Sequence, residues 1–344
     1  MEIDINKLVR GNVLKLKPYS SARDEFEGEA SVFLDANENP YPTDYNRYPD
    51  PHQKLLKNRI GELKKVNASQ IFLGNGSDEA IDLLFRAFCE PGKDEVLIPQ
   101  PTYGMYAVSA SINDVKINSV SLTKNFDLDV ATTLAAVTPQ TKIIFLCSPN
   151  NPSGNLLTRE KVIEVIKNFK GLVVVDEAYI DFTNSLSFTE LLDQNKNLVI
   201  LQTLSKAWGL AGLRLGISFA SVEIISLLNK IKPPYNISSI TQSLALKRLQ
   251  NVKDKDQQVK EVVNQRKLIE AKLLESKIVE HVYPSDSNFL LVKVKNAKNV
   301  YDNLLSKGIV LRDRSNVILC DDCLRITIGT PKENQILLDE LKKL

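Results

Sequence analysis

The feature that most constrains the fold is a series of short segments built almost wholly of Val, Ile and Leu, recurring between about residues 46 and 235, at 95–98, 142–147, 172–175, 198–202 and 215–219. A sheet with one wet face would alternate apolar and polar side chains along each strand. Strands that are apolar at nearly every position are buried on both faces, as in a parallel sheet covered by helices. Helical patterns such as 77–89 and 158–169 stand between the apolar segments. The order predicts an α/β domain, a mostly parallel sheet flanked by helices.

The pattern changes at both ends of this region. Residues 1–45 are rich in Pro, Asn, Asp and Tyr and show little periodicity, which predicts an ordered arm or loop. Pro233-Pro234 interrupts the alternation, and a long, charged helical stretch follows from about 238 to 276. A strand at 289–294, a helix at 297–307, a strand near Val310, a strand at 324–328 and a helix from Lys332 then fit a smaller α+β domain. The chain therefore divides into an arm (1–45), a large α/β domain (46–235) and a small α+β domain (236–344). Its 344 residues suit two domains of roughly 150 each.

Charge excludes some partners. With 44 basic and 42 acidic residues the formal net charge is +2, so nothing calls for nucleic acid or an anionic membrane. The longest apolar runs fall far short of the ~20 residues that cross a bilayer. Acidic Glu2 and Asp4 stand where a secretory signal would be basic, and four scattered cysteines need no disulfide framework. A cytoplasmic protein acting on small molecules is expected.

Chemistry concentrates where predicted strands end. Val173-Val174-Val175 runs into Asp176, with Tyr179 three residues on. Ligands of open α/β sheets sit beyond such strand ends, and an Asp there can hold a proton on a pyridine nitrogen. Taken alone, the pair reads equally as a helix-capping Asp and a surface Tyr. Thr203-Leu204-Ser205-Lys206-Ala207-Trp208 follows another strand and sets two hydroxyls and an amine among apolar side chains. Most lysines are solvated surface charges, but burial here would depress the amine and make it a nucleophile toward carbonyl carbon. Arg214, eight residues later, offers a fork of donors for phosphate. Gly74-Asn75-Gly76-Ser77-Asp78 leads into a helix whose first amides can bind an anion. Glu79 stands where a dinucleotide fingerprint needs its third glycine, and no Gly-Lys-Ser/Thr element occurs. Asn151 can donate to a ring oxygen, and Tyr103 can lie against an aromatic ring.

Together these segments resemble the fold-type-I pyridoxal-phosphate aminotransferases, and within that family the branch that acts on histidinol phosphate. The likeness covers nearly the whole chain, from Pro18-Tyr19-Ser20-Ser21-Ala22-Arg23 and Asp35-Ala36-Asn37-Glu38-Asn39-Pro40, through Asn46-Arg47-Tyr48-Pro49-Asp50, to Cys323-Leu324-Arg325-Ile326-Thr327. The resemblance implies pyridoxal 5′-phosphate carried on Lys206, which also serves as general acid and base, with Asp176 on the pyridine nitrogen. It puts Tyr179 and Asn151 at the ring hydroxyl, Tyr103 on the ring face, and Gly76, Ser77, Asp78, Thr203, Ser205 and Arg214 around the phosphate. It further implies a homodimer in which Tyr48 reaches the phosphate of the partner's cofactor. Arg312 and Arg325 would bind the phosphate of a phosphorylated amino alcohol and accept glutamate and 2-oxoglutarate, with Tyr19 and Asn37 closing over the other end. Ser153 stands where Thr is commoner in the family, which leaves the chemistry untouched. The same fold serves aromatic aminotransferases and threonine-phosphate decarboxylases, and a non-catalytic protein could retain it.

Cys320-Asp321-Asp322-Cys323 has the spacing of half a zinc site but no companion pair, and His52 and His281 are the only histidines, so no metal is expected. The run from Lys253 to Lys260 reads as a solvated helix face.

Overall fold

The computed structural model describes residues 3–20 and 30–344, so Ser21, Ala22 and Arg23 of the arm motif lie outside the described residues, as do Met1 and Glu2. Seven strands form the larger sheet: β1 (Ile71–Asn75), β2 (Glu95–Gln100), β3 (Lys116–Ser121), β4 (Thr141–Cys147), β5 (Leu172–Asp176), β6 (Leu198–Thr203) and β7 (Leu215–Ala220). Their spatial order is β1-β7-β6-β5-β4-β2-β3. All neighbours run parallel except β7, which is antiparallel to both β6 and β1. β1 therefore points the same way as β6, and the carboxyl ends of β1, β2, β4, β5 and β6 share one edge.

The apolar runs are explained by burial on both faces. Val173 and Val175 of β5 enter one core layer with Leu146, Ile200 and Trp208, while Val174 enters the opposite layer with Phe72, Phe85 and Phe145. Each fully buried aliphatic side chain contributes about 1.5–3 kcal/mol relative to exposure, so a polar residue in β4, β5 or β6 would be selected against at almost any position.

Two strands of this sheet carry no such signature. β1 is short and contains Gly74; β3 lies at the edge and has no buried residue. Gly74 pairs in register with Gly216 of β7, and an ideal Cβ on Gly216 would sit 2.2 Å from the carbonyl carbon of Gly76. Glycine at 216 is what lets β7 run hard against the start of the helix Gly76–Phe88.

Four antiparallel strands make the second sheet, β8 (Val279–Val282), β9 (Phe289–Val294), β10 (Arg312–Asp313) and β11 (Cys323–Thr327), in the order β10-β11-β9-β8. Its core joins Leu290, Val292, Leu324 and Ile326 to Ile269, Leu304 and Leu338 from three helices. β8 was not expected, and the strand expected near Val310 lies at Arg312–Asp313, with Val310 itself exposed. The long helical stretch is two helices, Ser239–Leu249 and Val252–Leu274, broken at Gln250-Asn251. Ser238 caps the first by accepting from the Thr241 amide, and Asn251 takes the non-helical cap position of the second. The last helix, Pro331–Leu341, opens with a Thr330/Glu333 capping box and Pro331 in its first turn. Among the described residues no helix is long and apolar enough to cross a membrane.

Candidate active site

The loops leaving five strand ends enclose one cavity. It is lined by Gly76, Ser77 and Asp78 after β1, Tyr103 after β2, Asn151 after β4, Asp176 and Tyr179 at the end of β5, Thr203, Ser205 and Lys206 after β6, and Arg214 just before β7. Cys147, Ala178 and Ala211 complete the wall.

At the floor lies Asp176, 3% exposed. The Tyr106 hydroxyl donates to its Oδ2 at 2.6 Å and the Ala178 amide donates to its Oδ1 at 3.0 Å. Burial pushes its pKa up from 3.8 to about 6, and the two donors hold that rise in check. Tyr106 was not singled out from the sequence. It sits three residues after Tyr103, in the helix Met105–Ile112, fully buried and stacked on Phe145 with centroids 4.7 Å apart.

Lys206 approaches from the other side, its Nζ 5.7 Å from the centre of the Tyr179 ring. Leu204 and Trp208 are buried on either side of it. Burial lowers the pKa of the amine; Arg325 and Arg214 lower it further, against the pull of Asp176 and Asp78. A lysine so placed has a larger neutral fraction at pH 7 than a surface lysine, which nucleophilic attack requires.

The third side is a concave array of donors. Gly76 adopts φ +73°, its amide donates to the Arg214 carbonyl at 2.7 Å, and an ideal Cβ there would lie 2.8 Å from Arg214 Nη2. Arg214 is itself left-handed, at φ +52°. The Thr203 hydroxyl donates to Ser205 Oγ at 3.0 Å, and the Ser205 amide donates to Thr203 Oγ1 at 3.1 Å. Asp78 lies between Arg214, at 3.6 Å, and the Tyr103 hydroxyl, which donates to it at 3.1 Å. Burial, then the Asp78 charge, raises the Tyr103 pKa and keeps that phenol protonated.

Arg325, on β11, reaches the cavity through Asn151, donating from Nη1 to Asn151 Oδ1 at 2.6 Å; its guanidinium carbon lies 5.2 Å from the centre of the Phe289 ring. Arg312 stands in register with Arg325 across β10 and β11 and is exposed. The remaining candidates lie outside this cavity: Tyr19 is 74% exposed, Asn37 is exposed at φ +54°, and Tyr48, 51% exposed, stacks on Tyr235 with centroids 4.4 Å apart. Cys320 and Cys323 are buried thiols, and among the described residues no group of three or more His, Cys, Asp or Glu side chains is placed to hold a metal.

Comparison with known proteins gives concordant results. The family model described as aminotransferase class I and II matches residues 31–341. The chain is similar to the histidinol-phosphate aminotransferase of Cytophaga hutchinsonii, 56% identical over 346 residues and 99% of each chain. It is likewise 58% identical over 341 residues to that of Parabacteroides distasonis, again covering 99% of each. Among solved structures, the histidinol-phosphate aminotransferase from Clostridium acetobutylicum superposes with a TM-score of 0.81 at 27% identity, over 87% of this chain and 91% of that one.

Proposed function

The chain belongs to the aminotransferase class I and II family, and on that footing we propose that it exchanges an amino group between L-histidinol phosphate and 2-oxoglutarate, giving imidazole acetol phosphate and glutamate, as a step of histidine biosynthesis. The near end-to-end identity to relatives of that name supports the substrate assignment. The observation that carries the chemistry is one cavity holding a depressed lysine, a buried carboxylate and, at a helix start, the hydroxyls of Ser77, Thr203 and Ser205 with the Arg214 guanidinium.

Pyridoxal 5′-phosphate suits this cavity. The cradle is formed where a side chain at position 76 would collide with Arg214, so backbone and guanidinium converge with no Cβ between them. Gly76, Ser77, Thr203, Ser205 and Arg214 would hold the phosphate against the helix start. Asp176, at the opposite end, would pair with the pyridine nitrogen and keep a proton on it. Asn151 spends its carbonyl on Arg325, which leaves its amide hydrogens for the ring hydroxyl beside Tyr179, and Tyr103 would flank the ring face. When bound, the cofactor supplies an electron sink for negative charge at the carbon bearing the amine. Lys206 would take up the proton from that carbon and hold it for return on the same face, a role its depressed amine can perform near neutral pH. Arg325 binds the acidic end of either substrate, with Arg312 beside it. Tyr106 keeps Asp176 oriented.

The same reading includes the division into arm, large and small domains, a cytoplasmic location and a homodimer. Val32, Leu34, Tyr41, Tyr45 and Tyr48 are all more than half exposed within one short stretch; apolar surface concentrated in this way supports an interface. Tyr48, outside its own cavity, would then serve the partner's cofactor phosphate, and Tyr19 and Asn37 would close over substrate.

Purified protein given cofactor, L-histidinol phosphate and 2-oxoglutarate is expected to form glutamate. Decarboxylation of threonine phosphate, or transamination of aromatic amino acids, without turnover of histidinol phosphate would overturn the assignment.

A further inference from the structure

A guanidinium carries five donors and keeps its charge in any protein, so two of them held together without a carboxylate call for an anion from elsewhere. Arg314 is in that position. Its amide donates to the Cys323 carbonyl at 2.9 Å, which extends the β10–β11 ladder one residue past the Arg312/Arg325 and Asp313/Leu324 pairs. Alternation along the ladder then turns the side chains of Arg312, Arg314 and Arg325 to one face and that of Asp313 to the other. The ion pairs among the described residues include none of the three arginines. Arg10, Arg47 and Arg159 by contrast each lie against a glutamate, and Arg248 and Arg266, which also lack an ion pair, donate to uncharged oxygens, Arg248 to the Trp208 carbonyl and the Gln258 amide and Arg266 to the Ser287 carbonyl.

The Nε of Arg314, the Nε of Arg325 and the hydroxyl of Ser315 are shut off from water with no hydrogen-bond partner. Burial and then the Arg325 and Arg312 charges lower the pKa of Arg314, opposed by Cys320 and Tyr179 and by no carboxylate. A merely structural role does not account for this side chain. The turn after β10 is held by the Arg314 backbone, through its amide and through its carbonyl, which accepts from the Val317 amide at 2.8 Å. Any residue but proline could supply those bonds.

We propose that Arg314 and Ser315 join Arg325 in a binding site for a phosphomonoester dianion, and that Arg314 sets the preference for phosphorylated substrate over a carboxylate. One fork matches the two oxygens of a carboxylate. The third oxygen and second charge of a phosphate monoester need further donors and a further cation. This inference rests on the proposed function and refines its substrate end.

The test compares wild-type holoenzyme with Arg314→Gln and Arg314→Lys. Arg314→Gln is expected to raise KM for L-histidinol phosphate at least tenfold while KM for glutamate stays within twofold, and Arg314→Lys should recover part of the loss. Inorganic phosphate, added to holoenzyme whose cofactor site is already filled, should raise the melting temperature of wild type and not that of Arg314→Gln. Equal changes in both KM values, no change in either, or phosphate protection that survives the Gln substitution would each overturn the proposal. Should wild type turn over no phosphorylated amine, the functional reading fails instead, and the phosphate-protection comparison alone decides whether the anion site exists.

Discussion

The floor of the cavity and its rim differ in how their polar groups are satisfied. At the floor, Asp176 receives two donors, Tyr106 is clamped against Phe145, and the Thr203, Ser205, Gly76 and Arg214 contacts close on one another within one chain. At the rim, Arg314, Arg325 and Ser315 hold buried atoms without partners and Arg312 is exposed, while Tyr19, Asn37 and Tyr48 are exposed outside the cavity. A floor built on strand ends is preorganised before anything binds, which is where charge must be managed with precision. The rim keeps donors available for a substrate. Substitutions at the floor should therefore damage chemistry, and those at the rim should change recognition.

The largest effect is expected at Lys206. Lys206→Ala should reduce turnover by on the order of 10³-fold or more and remove the visible absorbance of bound cofactor; a variant that kept both would dissolve the distinction between floor and rim. Next comes Asp176→Ala, which should slow proton abstraction by about 10²-fold and weaken cofactor binding, read by stopped-flow and by absorbance titration. Arg325→Ala should raise KM for histidinol phosphate and for glutamate alike, by roughly 1.5–3 kcal/mol of lost charged hydrogen bonding, with cofactor affinity unchanged. An unaltered KM for both would move Arg325 out of the rim. The smallest effect is expected from Tyr48→Phe, a few-fold loss of cofactor affinity of the size of one neutral hydrogen bond, about 1 kcal/mol.

The floor also predicts a pH dependence with opposite signs for fold and ligand. The Asp176 pKa is raised from 3.8 to about 6 by burial. In the cofactor-free protein its protonated form therefore favours the fold, a contribution complete below about 3.8 and lost as pH rises through about 6. Pairing with a protonated pyridine needs the ionised form, so cofactor affinity should fall as pH is lowered from 7 to 5. Asp176→Asn should flatten that dependence.

How much of this was legible in the sequence follows the same division. β4, β5, β6 and β7 announce themselves because two-sided burial makes most of their positions apolar, and the ends of β5 and β6 point to Asp176 and Lys206. β1 and β3 do not, since β1 offers only three apolar residues before Gly74 and the exposed edge leaves β3 without a buried position. Tyr103 and Tyr106 look interchangeable in sequence; only the helix Met105–Ile112 turns the second inward to Asp176. The arginines of 312–314 could not be sorted, because a two-residue strand has no periodicity of its own and its register is set by β11. Tyr48 could be placed only through a resemblance, since its proposed role depends on a second chain.

On the proposed function, one particular amine carries the cofactor opposite Asp176. Reducing the holoenzyme with borohydride and mapping the cofactor mass onto proteolytic peptides tests it directly. A single modified lysine, Lys206, is expected. Cofactor mass on another lysine, or none on any peptide of an enzyme that is active before reduction, would contradict it.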